Sequence, residues 1–157
     1  MSILHKYIAK GEMNFIHLQI VNKQRKPKYL HYMVSIYSPQ RRIHKTFSGW
    51  VLLSPFQTKN IIFPIILFKT GKYYIETKVN DGKIMISSET KKNDYFYVID
   101  LVYEKSNKKV INKSDIEFPI MLFAENKILK KMLHPKEKLT ISNFKYLNYG
   151  GNVIINL

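Results

Sequence analysis

Five histidines, His5, His17, His31, His44 and His134, are the residues of this chain best suited to hold a metal ion or move a proton near neutral pH. None stands four residues from another, so no helical turn would bring two imidazoles together as a ligand pair. If the strands around His17 and His31 form a hairpin, the two rings share its solvent face. Acidic third ligands are missing nearby, and solvated or hydrogen-bonded rings are the simpler account. The closest carboxylate pair, Asp115 with Glu117, falls on one face of an extended segment and reads as two exposed acids rather than a glycosidase dyad. Asp100 interrupts the run Y-F-Y-V-I-D-L-V-Y. It is either an acid with a perturbed pKa in a cleft or, more simply, a sheet-rim acid satisfied by one of many lysines. Patterns for a nucleophile elbow, a phosphate loop, a zinc protease or a calcium loop are absent, so no catalytic residue, metal or cofactor is expected.

Charge carries more information. The 157 residues hold 26 Lys and Arg against 11 Asp and Glu, a net charge of +15, which favours an anionic partner: an acidic protein, nucleic acid or an anionic membrane. Composition offers a competing cause. The 23 Lys, 21 Ile and 11 Asn are all AT-rich in codon usage, and the 3 Arg are few for a reader of phosphate or guanine. The basic residues concentrate in connections. Lys23, Arg25, Lys26 and Lys28 form one group, Arg41, Arg42 and Lys45 a second, and Lys105, Lys108 and Lys109 a third; these ten are the candidate partner-binding residues. Lys91, Lys92 and Lys113 add to the pattern. At Lys28-Tyr29, Lys72-Tyr73-Tyr74 and Phe144-Lys145-Tyr146 the cations interleave with aromatics, as on a platform for single-stranded nucleic acid. Trp50, the sole tryptophan, is expected to anchor the core, with stacking on a ligand as the alternative.

The elements that must position these side chains are strands. Ile16, Leu18 and Ile20 share one face of a first strand with Asn14, while Leu30, Tyr32, Val34 and Ile36 share one face of a second. The connection N-K-Q-R-K-P-K between them suggests a hairpin. Further strands are expected over 43–53, 72–79, 83–88, 94–103, 138–147 and 152–157, with turns at Asn80-Asp81-Gly82 and Asn148-Tyr149-Gly150-Gly151. The run N-I-I-F-P-I-I-L-F at 60–68 is echoed by D-I-E-F-P-I-M-L-F at 115–123, identical at six of nine positions. Each copy implies a strand beginning after the proline, at Ile65 and Ile120, with both faces covered. The flanking residues align poorly, so the echo reads as one solution used twice rather than as a repeat. One helix is expected near 124–134, where Ile128 with Met132 and Leu129 with Leu133 recur at four-residue spacing, ending at Pro135.

Together these readings predict a single all-β domain over 1–157, mainly antiparallel. It would be a two-sheet sandwich, immunoglobulin-like at the level of class, with one short helix. With 45% hydrophobic and 13% aromatic residues the core has its material, and without cysteine no disulfide supports it. No signal peptide or apolar membrane span is visible, which suits a cytoplasmic chain or one exported without a cleaved signal. The sequon Asn112-Lys113-Ser114 matters only for a chain exported through a signal already removed. The expected function is a non-catalytic interaction module that binds an acidic protein through its basic loops or a strand edge. Single-stranded nucleic acid is the alternative partner, and an anionic membrane a lesser one.

Overall fold

The computed structural model describes every residue except 1, 4, 5, 81–88 and 152, with the backbone alone for 2, 3 and 89–93. Among the described residues fifteen strands follow in chain order. They are β1 (Ser2–Ile3), β2 (Tyr7–Ala9), β3 (Met13–Val21), β4 (Lys28–Tyr37), β5 (Ile43–Leu53), β6 (Thr58–Ile66), β7 (Gly71–Asn80) and β8 (Glu89–Ile99), then β9 (Leu101–Glu104), β10 (Lys109–Asn112), β11 (Phe118–Phe123), β12 (Ile128–Leu133), β13 (Lys138–Thr140), β14 (Tyr146–Tyr149) and β15 (Val153–Asn156). The protein is therefore all-β; β2 pairs parallel with the end of β8, and the β1–β3, β4–β5, β4–β7, β9–β10, β10–β13, β11–β12, β11–β14 and β14–β15 pairs are antiparallel.

The chain divides into two compact units: Met1–Leu4, Asn14–Ile65 and Tyr73–Tyr95 make the first, and His5–Met13, Ile66–Lys72 and Phe96–Leu157 the second. In the first, β1-β3-β6 is one sheet and β8-β7-β4-β5 is the order of the other. Alternation dictates the burial. Asn14, Ile16, Leu18 and Ile20 of β3 are buried, as are Leu30, Val34 and Ile36 of β4, each apolar side chain stabilising the fold by about 1.5–3 kcal/mol. Phe63 of β6 packs against Tyr32 of β4 and Phe47 of β5, ring to ring at 5.9 and 4.7 Å, closing one sheet on the other.

The second unit repeats this plan, with β9-β10-β13 as one sheet and β12-β11-β14-β15 as the other. Its core gathers Ile99, Leu101, Val110, Phe118, Ile120, Leu122, Leu133, Ile141 and Leu147. The register repeats as well. Lys28 pairs with Leu53, Tyr29 with Leu52 and His31 with Trp50, and after the matching six-residue step from Asn112 the pairs are Phe118 with Leu133, Pro119 with Met132 and Met121 with Lys130. On the other side Tyr32 faces Val79 where Leu122 faces Leu147. This is an immunoglobulin-like sandwich built twice.

The Phe-Pro-Ile echo is not that repeat. Its first copy lies in β6, an edge strand, and its second in β11, between β12 and β14. Phe63 and Phe118 are buried, but the strands include the prolines and begin earlier than expected. Ile62 and Ile66 are exposed, so β6 is not covered on both faces. A proline fits at each place: one strand is an edge, and in the other the pairing with β14 starts only at Ile120.

Two further expectations are corrected. The segment 124–134 is a β-hairpin arm, not a helix: Ala124 N–H donates to Lys127 O at 3.0 Å, and β12 then pairs with β11 from Ile128 to Leu133. A four-residue spacing falls on one face of a strand as well as of a helix, so Ile128 and Met132 share the outer face, with Ile128 60% exposed. Pairing also satisfies the backbone of a segment too short to hold a helix alone. Nor do β3 and β4 form a hairpin. They belong to different sheets, so His17 and His31 share no face. Alternation reveals a strand but not its partner. The candidate strand 94–103 breaks at Asp100, and 138–147 resolves into β13 and β14; 83–88 and most of the Asn80-Asp81-Gly82 turn lie outside the described residues.

Candidate interaction surface

On the outer face of β4 and β5, side chains that alternate away from the core meet in one aromatic cluster. Val51 and Leu53 point inward and are buried, so Trp50 and Leu52 point outward, 51% and 64% exposed. The Trp50 ring stacks on Tyr29 at 5.0 Å and 13° and meets His31 at 4.8 Å. Trp50 is thus a surface residue and not the expected core anchor. The parity of its strand, with Val51 and Leu53 on the opposite face, was the sequence signal for this.

Beside the cluster lies the connection that carries Lys23, Arg25, Lys26 and Lys28. Asn22, 1% exposed, shapes it: Nδ2 donates to Lys26 O, Leu53 O and Ser54 O at 2.8, 3.3 and 3.1 Å, while Oδ1 accepts Gln24 N–H at 3.0 Å. The carboxamide thus fixes the loop backbone and leaves Lys23, Arg25 and Lys26 exposed. Among the described residues none of these three forms an ion pair.

The seven candidate cations of the first unit do not converge. Arg41, Arg42 and Lys45 sit at the far end of β4, about 30 Å from Lys28 at roughly 3.4 Å per residue. There Arg41 covers the Tyr74 ring at 5.1 Å and Lys45 the Phe47 ring at 4.9 Å. Lys105, Lys108 and Lys109 belong to the β9–β10 turn of the second unit, where Lys109 pairs in register with Glu104. The interleaved aromatics disperse too. Tyr73 is buried, Lys145 is paired with Glu125 at 2.9 Å, and only Lys28-Tyr29 joins the exposed cluster.

A broader signal lies in the distribution of acids along the sequence. Between Met13 and Ile75 there are ten Lys and Arg residues and no Asp or Glu. A uniform codon bias would load lysine everywhere without segregating the acids, so this segregation is independent of overall composition. It makes β3 to β6, including the whole of β5, free of negative side chains.

The remaining candidates have ordinary partners. Asp100 lies 3.7 Å from the Lys10 ammonium, Asp115 is 3.3 Å from Lys136, and Glu117 is 2.8 Å from His134 Nδ1. Among the described residues no three His, Asp or Glu side chains gather as metal ligands, and no helix is long and apolar enough to cross a membrane.

No family model matches the chain, and no curated protein sequence does. Solved structures do. A β-glucuronidase from Bacteroides uniformis matches 71% of this chain at TM-score 0.53 and 15% identity, the match spanning 14% of the enzyme. A CARDB domain from Pyrococcus furiosus matches 61% of this chain and 84% of its own at TM-score 0.44 and 17% identity. A class 5 fimbriae chaperone matches 99% of this chain and 97% of its own at TM-score 0.36 and 13% identity. At these identities the β-glucuronidase likeness speaks to the fold alone.

Proposed function

We propose that the protein is a non-catalytic interaction module that holds an acidic partner protein on the outer face of β4 and β5. Trp50 carries this reading. A half-exposed indole, stacked on Tyr29 and bordered by Leu52, is the kind of rigid apolar anchor that dominates binding energy at protein interfaces. Lys23, Arg25, Lys26 and Lys28 beside it supply attraction and orientation for a negative surface, and the acid-free run from Met13 to Ile75 leaves β4 and β5 themselves without a repulsive group.

A second reading takes single-stranded nucleic acid as the ligand, with a base stacked on the same indole. It is favoured by the same ring and cations. It is weakened by the scarcity of arginine and by the middle of the face, where Glu76 is held by Lys78 at 3.2 Å in place of further aromatics.

Because Trp50 is the only tryptophan, its emission reports on the site directly. Titration with poly-glutamate, oligo-deoxythymidine and phosphatidylserine vesicles at low salt separates the partner classes. An emission shift with poly-glutamate, reversed by salt and abolished by the triple substitution Lys23→Glu, Arg25→Glu, Lys26→Glu, is the expected result. A shift with oligonucleotide or vesicles alone overturns the reading.

A further inference from the structure

We infer that the acidic partner binds as an extended segment that adds a strand to the free edge of β5. This rests on the reading above and specifies its mode. Among the described residues β5 ends its sheet order; it runs eleven residues and contains neither proline nor acid. Its one irregularity lies opposite Ile36 and Tyr37, so the register from Lys45 to Leu53 is unbroken. Proteins normally protect such an edge by shortening it, bending it or placing lysines along it.

The second unit shows what protection looks like on the same plan. There the equivalent strand, β12, has six residues, and lysines 130 and 131 stand where β5 has Trp50 and Val51. Both strands are sheet edges, but only β12 carries lysines at these two central positions. A strand added to β5 would satisfy its outward N–H and C=O groups, lay alternate apolar side chains over Trp50 and Leu52, and carry its carboxylates past an acid-free surface. The net charge of +15 opposes a second copy of this chain as the added strand.

The test uses a nonapeptide alternating Glu and Val, and the same peptide N-methylated at two adjacent central residues. The methyl groups remove a donor from each edge while charge and side chains stay the same. Trp50 emission measures affinity, and hydrogen exchange measures protection of β5 amides. The expected result is binding of the parent peptide, at least about tenfold weaker binding of the methylated form, and slower exchange of the outward β5 amides between Lys45 and Leu53. Equal affinity of the two peptides with no gain in protection overturns strand addition and leaves the acidic-partner reading standing. No response to either peptide or to poly-glutamate overturns both.

Discussion

Asn22 and Asn112 hold the same place in the two units. Asn22 follows the last residue of β3 and Asn112 is the last of β10; like Asn22, Asn112 is buried, 0% exposed, its Nδ2 donates to Ile116 O, Leu133 O and His134 O at 2.7, 3.0 and 3.0 Å, and its Oδ1 accepts Ser114 N–H at 2.9 Å. Each carboxamide thereby joins a loop four residues on to the strand that returns from the facing hairpin. Aspartate has the same shape but would aim oxygen at three carbonyls. Asn22→Asp or Asn112→Asp is therefore expected to lower the unfolding free energy by about 3 kcal/mol or more, and Asn→Ala by about 2–3 kcal/mol, measured by urea denaturation.

An indole that stands on the surface has a spectroscopic consequence. Trp50 in the free protein should emit near the wavelength of water-exposed tryptophan and be readily quenched by acrylamide. Trp50→Ala should cost only about 1 kcal/mol of stability, mostly the lost stack on Tyr29, while weakening poly-glutamate binding measured by titration calorimetry. A blue-shifted, unquenched emission would contradict the placement of this ring.

Gly49 depends on Tyr32 in a different way. The phenol of Tyr32 covers the place a Cβ would take at Gly49, so any larger residue there must push the ring aside. Gly49→Val should destabilise the first unit by about 1–3 kcal/mol despite the higher strand propensity of valine. Adding Tyr32→Ala to Gly49→Val should recover part of that loss, a non-additivity that a double-mutant cycle reads directly.

A neutral and a charged side chain perform one task at equivalent turns. In Ser54-Pro55-Phe56-Gln57 the Gln57 Oε1 accepts Ser54 N–H at 2.8 Å, and in His134-Pro135-Lys136-Glu137 the Glu137 Oε2 accepts His134 N–H at 2.8 Å. The residue after each proline has positive φ, 58° at Phe56 and 62° at Lys136, as type II turns require. The bond from the His134 backbone, aided by Lys131, holds the Glu137 carboxyl below its usual range. A lowered folded-state pKa gives stability that is present above the unfolded value of 4.5 and lost as pH falls below it. Glu137→Gln keeps the hydrogen bond and removes the titration. It should flatten the fall of the urea midpoint between about pH 5 and 3.

Much of this architecture was legible because period-two alternation is a local property. β5 runs over 43–53 as expected, and β7 and β15 fall within a residue or so of 72–79 and 152–157. What alternation cannot encode is which strand lies beside which, so the supposed β3–β4 hairpin proved to be a crossing between sheets. The repeat also escaped, because its signature is not the conspicuous Phe-Pro-Ile but two asparagines and two proline turns separated by hairpins of unequal length. At the candidate surface the basic loops were visible as composition. The surface position of Trp50 follows from the parity of its own strand, with Val51 and Leu53 on the buried face, and the missing acids form no motif because absences do not.

The burial of Asn112 also bears on how the protein could be made. Its amide nitrogen, which a glycan would have to occupy in the sequon Asn112-Lys113-Ser114, already serves three carbonyls, and Ser114 Oγ donates to Oδ1 of the same side chain at 2.6 Å. Oligosaccharide could be attached only to a nascent chain before the second unit closes, and once attached it would keep that unit from closing. In a eukaryotic secretory host, correctly folded product and sugar-modified product would therefore be separate populations, and only the first would leave the endoplasmic reticulum.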